Sequence, residues 1–283
     1  MTEETKLTEE TNISTKNDGL MGFISLIFGV GGIFLSYYFI FRYLGDILAA
    51  ETDAAQECAA TAPFFIPAFA CIGIIGGILW LVAGVGYFQK MKWTYPVSVI
   101  AVIISLFASF WPNIPAMESK AAIPGPWFLI FFPNLLMYFY LVRSKGKVSR
   151  SKAWLGLLIG MAFILEFING IAATTRMVNR LPDYGEASMY MLTMPTNMIA
   201  SLLFGITVVG LFLSKRKDLV RTVGLGAAFL AIFSGFPLAF YSMFFANLDA
   251  TFSMFIMGPV VSLLVGIVLL FPKMWNKIMG NNE

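Results

Sequence analysis

The strongest constraint in this sequence is the grouping of its apolar residues. They fall into about eight long blocks, residues 20–41, 64–88, 94–111, 127–142, 153–173, 190–213, 222–246 and 252–271. At about 1.5 Å per residue, a helical block of this size is roughly what ~30 Å of hydrocarbon requires. The blocks do not alternate apolar with polar, which argues against a β-barrel. Helices are then the only element that satisfies its own backbone in lipid. Composition agrees: 58% of residues are hydrophobic and 12% are charged, where a soluble domain carries about 25% charge. The expected fold is an all-α, polytopic integral membrane helix bundle of about eight transmembrane helices. The fourth block is short and has Pro133 near its middle, so the alternative is seven spans plus a surface helix.

Three regions follow. Residues 1–19 are a polar tail, expected to be disordered and without the basic start of a cleavable signal peptide. Residues 20–272 are one transmembrane helical domain, and 273–283 a short cytoplasmic tail. Asn12-Ile13-Ser14 fits the glycosylation pattern, a short match that recurs by chance.

Charge gives an expected orientation. Lys90 and Lys92 follow the second block. Arg143, Lys145, Lys147, Arg150 and Lys152 follow the fourth, and Lys215, Arg216, Lys217 and Arg221 the sixth. Asp46, Glu51, Asp53 and Glu57 follow the first block, and Asp249 the seventh. Basic connections mark the cytoplasmic side. The orientation read from them is N-terminus outside and C-terminus cytoplasmic, in a multi-pass protein of the cell membrane. The net charge of +3 is the sum of two unlike faces. The basic segments flank spans, where anionic lipid accounts for them, so membrane lipids are the expected partners and nucleic acid is not.

Several chemistries drop out. The chain has no histidine, which removes His-ligated metal centres and His-based triads. Its two cysteines, Cys58 and Cys71, are ~20 Å apart along a helix, too far for a disulfide. No nucleotide-binding loop or nucleophile elbow occurs. No cofactor and no metal site is expected, and catalysis is disfavoured.

One residue resists the apolar pattern. Glu166 lies in the fifth block, within MAFILEFINGIAATTRMVNRLPDYG. A carboxylate facing lipid is costly, so it should face the bundle interior or a wet cavity. At 100° per residue, Asn169, Ala173, Arg176 and Arg180 share an arc with it. Asn134 follows Pro133, and Asn197 follows Pro195 by two positions; proline frees a carbonyl one turn back. Glu166, Asn169, Asn134 and Asn197 are therefore the candidate binding residues of an outward-facing polar cavity, with Arg42, Arg176 and Arg180 as mouth charges. The bland reading is that single asparagines join helices, worth ~1 kcal/mol each, and that arginines snorkel to headgroups. Gly73-x-x-x-Gly77 and Gly156-x-x-x-Gly160 are read as packing, and the six tryptophans as an aromatic belt.

The halves of the chain can be overlaid. Gly22 matches Gly156 and Arg42 matches Arg176, both 134 positions apart, while Gly125-Pro126 matches Gly258-Pro259 at 133. This suggests a parallel 4+4 repeat. Glu166 has no acidic counterpart in the first half, since Gly32 stands there.

Three functions fit in descending order. The first is a transporter or channel-like protein for a cation or small polar solute. The second is a non-catalytic subunit or scaffold that meets other membrane subunits or copies of itself. The third is a membrane enzyme of the outer face using Glu166 or the Asp183/Glu186 pair.

Overall fold

Long apolar runs without interior breaks become long helices. In the computed structural model, residues 18–53, 57–118, 125–181, 184–244 and 253–280 are described, and every regular element among them is helical. The elements are α1 (Asp18–Asp53), α2 (Ala62–Phe88), α3 (Thr94–Phe110), α4 (Asn113–Glu118) and α5 (Phe128–Tyr140). Then come α6 (Arg150–Arg180), α7 (Tyr184–Leu213), α8 (Lys217–Phe244), α9 (Met257–Leu270) and α10 (Pro272–Met279). Short 3₁₀ turns cover Glu57–Ala60 and Met254–Ile256, and a π-helical turn, Leu141–Lys145, extends α5. Asn12, Asp183, Asp249 and the side chain of Glu186 lie outside the described residues, as does the predicted tail before Asp18.

Among the described residues, six helices are long and apolar enough to cross a membrane, or seven if α9 and α10, bent by 84° at their junction, count as one span. The outer faces of the helices are oily: Phe41 is 85% exposed, Phe233 77% and Leu136 74%. Such exposure suits lipid and not water. The chain is a multi-pass membrane helix bundle.

The expected eight long spans are not all found. α5 has 13 residues and α9 has 14. α5 begins only after Gly125-Pro126. α9 stops at Phe271, which is extended with φ −84° and ψ 112° before Pro272. A residue ahead of proline is pushed out of the helical region. Arg221 covers the break by donating to the Leu269 and Leu270 carbonyls at 2.7 and 2.9 Å.

The chain forms two compact units. The first takes in residues up to Leu44, Ile66–Ile114 and Ala122–Val148; the second takes in Gly45–Phe65, Pro115–Ala121 and Ser149 onward.

In the first unit, α1, α2, α3 and α5 run antiparallel in turn. A side chain on Gly29 would meet Leu81 and the Gly77 carbonyl, and one on Gly73 would meet Ser36 Oγ at 2.8 Å. The Gly73/Gly77 pair thus serves close α1–α2 packing, as expected. α2 meets α3 through Gly76 and Ser105, α3 meets α5 where Phe110 packs on Phe131, 5.5 Å between ring centroids, and the Phe128 amide donates to Oδ1 of Asn113, the first residue of α4, at 2.9 Å. Phe39 against Trp127, 5.3 Å between centroids, joins α1 to the start of α5.

The start of α1 and the basic connection after α5 lie at the same end of this unit. Asp18, which opens α1, accepts from Lys145 Nζ at 2.8 Å. Lys145 belongs to the basic connection, so α1 starts at the basic end. Parity is the reason: four antiparallel helices return the chain to the end it left.

The aromatic belt is also narrower than expected. Trp80, Trp111, Trp127 and Trp275 are buried, while Trp93 and Trp154 are exposed. Trp80 is held inside because its indole N–H donates to Asn134 Oδ1 at 3.1 Å.

In the second unit, α6, α7, α8 and α9 also run antiparallel in turn, and α9 closes the ring against α6. Ser201 Oγ donates to the Phe163 carbonyl at 2.7 Å across α6–α7. α7 and α8 meet at Gly210 against Val220, and α8 and α9 at Gly235 against Pro259. α6 runs to Arg180 without a break, and α1 extends to Asp53. Residues from the end of α1 to Phe65 belong to this unit, where Thr61 and Thr175 share a hydrogen bond of 2.5 Å.

Candidate functional site

The polar residues of the second unit gather at one level of the four-helix ring. The crossing contacts fix that level. A side chain on Gly170 would meet Met198 Cγ, and Ser201 bonds the Phe163 carbonyl. Asn197, next to Met198, is therefore level with the Gly170 end of the 163–170 stretch, beside Asn169 and about one turn from Glu166. On the opposite wall Gly235 packs on Pro259, which brings their neighbours Ser234 and Gly258 to a common height. A side chain on Gly258 would collide with Asn169 Nδ2 and with Glu166 Oε1 at 2.8 Å.

Glu166 has no exposed surface. Its Oε1 accepts from Ser262 Oγ at 2.8 Å. Its Oε2 is buried and has no hydrogen-bond partner. Asn169, 4% exposed, lies beside it and donates through Nδ2 to the Phe255 carbonyl at 3.2 Å. Asn197, 0% exposed, takes a very short hydrogen bond from Ser234 Oγ to its Oδ1, while its Nδ2 has no partner. An unpartnered buried polar atom costs about 1–3 kcal/mol. Two such atoms lie within about one turn of each other in one ring.

Toward the Arg180 end of α6 the polar line continues. Arg176 Nη1 donates to Ser242 Oγ at 2.6 Å, and its guanidinium lies 4.6 Å from the Phe255 ring centre. Arg180 stands 5.3 Å from the Tyr190 ring, which packs edge-on to Tyr241. Phe255 joins the two levels. Its carbonyl holds Asn169 and its ring underlies Arg176, and the surrounding Ala173, Tyr190, Leu238 and Ala239 are fully buried.

The structure thus brings Glu166, Asn169 and Asn197 into one unit with Arg176 and Arg180. Asn134 and Arg42 belong to the other unit. Asn134 is occupied there, accepting from Trp80 and donating to the Ile130 carbonyl at 2.8 Å. Arg42 is exposed and lies 5.0 Å from the ring of its neighbour Tyr43. Sequence reasoning missed Ser262, Ser234, Gly258 and the Phe255 carbonyl. Ser262 carried a signal: it is the one hydrogen-bonding side chain of α9, MGPVVSLLVGIVLL. Among the described residues, no three His, Cys, Asp or Glu side chains are grouped as metal ligands.

Comparison with known proteins finds no match to a family model, a curated protein or a solved structure.

Proposed function

We propose that the protein is a transporter or channel-like protein for a cation or a small polar solute, with Glu166 as the group that binds it. The observation that carries this reading is the Glu166 carboxylate, fully buried in a four-helix ring with one oxygen unpartnered. An acid used only to join helices would be expected to have both oxygens bonded, since each unmet one is destabilising.

Helix architecture gives further support. The two short apolar helices, α5 and α9, are each the fourth of their unit, and each follows or contains a Gly-Pro pair. Short, Gly/Pro-interrupted segments in corresponding places of two halves point to a binding site in membrane transporters. α9 supplies Ser262 and Gly258 to the level of Glu166.

A parallel 4+4 duplication of eight membrane segments belongs to the same reading. Shifting α1 by 134 positions onto α6, and α2 by 124 onto α7, carries the Gly29 contacts with Gly77 and Leu81 onto Phe163 with Ser201 and Gly205. Shifts of 124 and 126 carry the Gly86–Thr94 contact onto Gly210–Val220. With eight segments both chain ends face the cytoplasm, the side the basic connections mark. Tags on the two termini should then be reached from the same face of sealed vesicles; tags reached from opposite faces would end this topology. The enclosed site also implies a second conformation that opens toward the Arg180 end.

The test of function is flux into proteoliposomes. Glu166→Gln keeps the shape and removes the charge, and it should abolish or strongly reduce uptake. Unchanged uptake by correctly inserted protein would end the role of Glu166.

A second reading, a non-catalytic subunit, draws on the complete burial of Glu166, which equally suits a residue that only assembles helices. Mild-detergent purification would then yield stoichiometric partner proteins.

A further inference from the structure

We infer that the species held at the Glu166 level is a single dehydrated alkali cation of sodium size, bound between Glu166 Oε2 and the side-chain oxygen of Asn197. This rests on the reading of Glu166 as a binding group and names what it binds.

Charge is the first ground. In its ionised form Glu166 brings one negative charge into a ring whose walls at this level are otherwise neutral: Asn169, Asn197, Ser234, Gly258 and Ser262. Arg176 is ten residues along an unbroken helix, about 15 Å away. A buried carboxylate either holds a proton or is balanced by a cation that displaces it. One monovalent cation does so, whereas a divalent ion would leave a net positive charge and would want further acids.

The hydrogen bonds are the second ground. Ser234 has one hydroxyl proton but faces two acceptors, the Leu230 carbonyl at 2.7 Å and Asn197 Oδ1. A hydroxyl donates once and accepts through its lone pairs. If the proton goes to Leu230, the Asn197 amide satisfies Ser234 by turning over, so that Nδ2 donates to Ser234 Oγ. The unpartnered atom of Asn197 is then its oxygen. The amide's two orientations differ only in which atom meets Ser234, and this one leaves no two acceptors competing for one proton. Two unpartnered oxygens, one of them a carboxylate's when Glu166 is ionised, then lie within about one turn of each other in the ring.

The remaining positions also supply oxygen. Ser262 holds Glu166 Oε1 and leaves Oε2 buried without a partner. Pro237 in α8 removes the helical donor of the Phe233 carbonyl, one residue from Ser234. Hard oxygen ligands of this kind suit an alkali cation. Gly258 keeps the wall clear, since any side chain there would occupy the space of the carboxylate.

Sodium alone is the probe. The full chain, purified in nanodiscs, is melted in choline chloride with sodium chloride substituted at constant ionic strength. A ligand that binds only the folded state raises the midpoint with concentration. At ten times the dissociation constant the rise should be about 4 °C, saturating with sodium and smaller with potassium. Glu166→Gln should remove the response, and Asn197→Ala should shift its midpoint at least about tenfold to higher sodium. Should Glu166→Gln fail to fold, radioactive sodium binding to the wild type and to Asn197→Ala decides alone. No sodium-specific rise, an equal rise in both variants, or equal sodium binding to wild type and Asn197→Ala would overturn the inference. Glu166-dependent solute uptake without any sodium response would retain the transport reading and remove this one. A sodium response without uptake of any solute or cation would retain the cation site and remove the transport reading.

Discussion

The two four-helix units carry asparagines in their interiors, yet treat them differently. In the first, Asn134 bonds Trp80 and Ile130, and Asn113 bonds Phe128, Ser109 and Phe110. Both amides are fully used. In the second, Asn197 and Glu166 each keep one buried atom unpartnered. The position equivalent to Glu166 in the first unit is Gly32, where a side chain would find only the Gly77 Cα within 4 Å, at 3.8 Å. The lesson is that a polar residue inside a membrane bundle is not by itself a site. What separates glue from site is whether hydrogen bonds within the bundle already use its donors and acceptors.

The contrast can be broken most sharply by charge. Glu166→Gln should lower flux about tenfold or more, because it removes a charge-based interaction of ~1.5–3 kcal/mol, with little loss of folded protein. Flux unchanged by this substitution would reduce Glu166 to glue. Crowding comes next. Gly258→Ala places a methyl against Asn169 and Glu166, and overpacking costs about 1–3 kcal/mol. It should lower both the melting midpoint and flux, whereas Gly160→Ala, with nothing within 4 Å, should change neither.

Asn134→Ala sharpens the comparison from the other unit. It strands the indole N–H of Trp80, so stability should fall by about 1–3 kcal/mol while flux per folded molecule is kept. Loss of flux at wild-type stability would place Asn134 in the transport path. The smallest effect is expected from Asp18→Asn. The Asp18–Lys145 pair is mostly buried, with side-chain exposures of 16% and 8%. Its loss should cost about 1–3 kcal/mol, between the exposed and buried limits, and at the lower end because Asn still accepts a hydrogen bond. Thermal melting in nanodiscs reads it, with no change in flux.

Much of this was readable from residue order. Apolar block length gave the helices, and the cost of a lipid-facing carboxylate gave the burial of Glu166. Helical periodicity put Asn169 and Arg176 on its face, because those angles depend on one helix alone. What escaped depends on two helices. Nothing in periodicity says that Ser262 of α9 meets Glu166, or that Asn134 and Asn197 belong to different rings, since the vertical register between helices is set by contacts such as Gly170 with Met198 and Gly235 with Pro259. Trp80 was misread for the same reason: its place in the interior follows from Asn134 on a distant segment. That α1 starts at the end of the basic connection also depends on a contact between distant segments, the Asp18–Lys145 pair.

The most direct measurement is proteoliposome flux of wild type, Glu166→Gln and Asn134→Ala side by side, each normalised to folded, inserted protein. The account predicts near-wild-type flux for Asn134→Ala and a loss of about tenfold or more for Glu166→Gln. Equal flux in all three, or a loss in Asn134→Ala that matches Glu166→Gln, would contradict it.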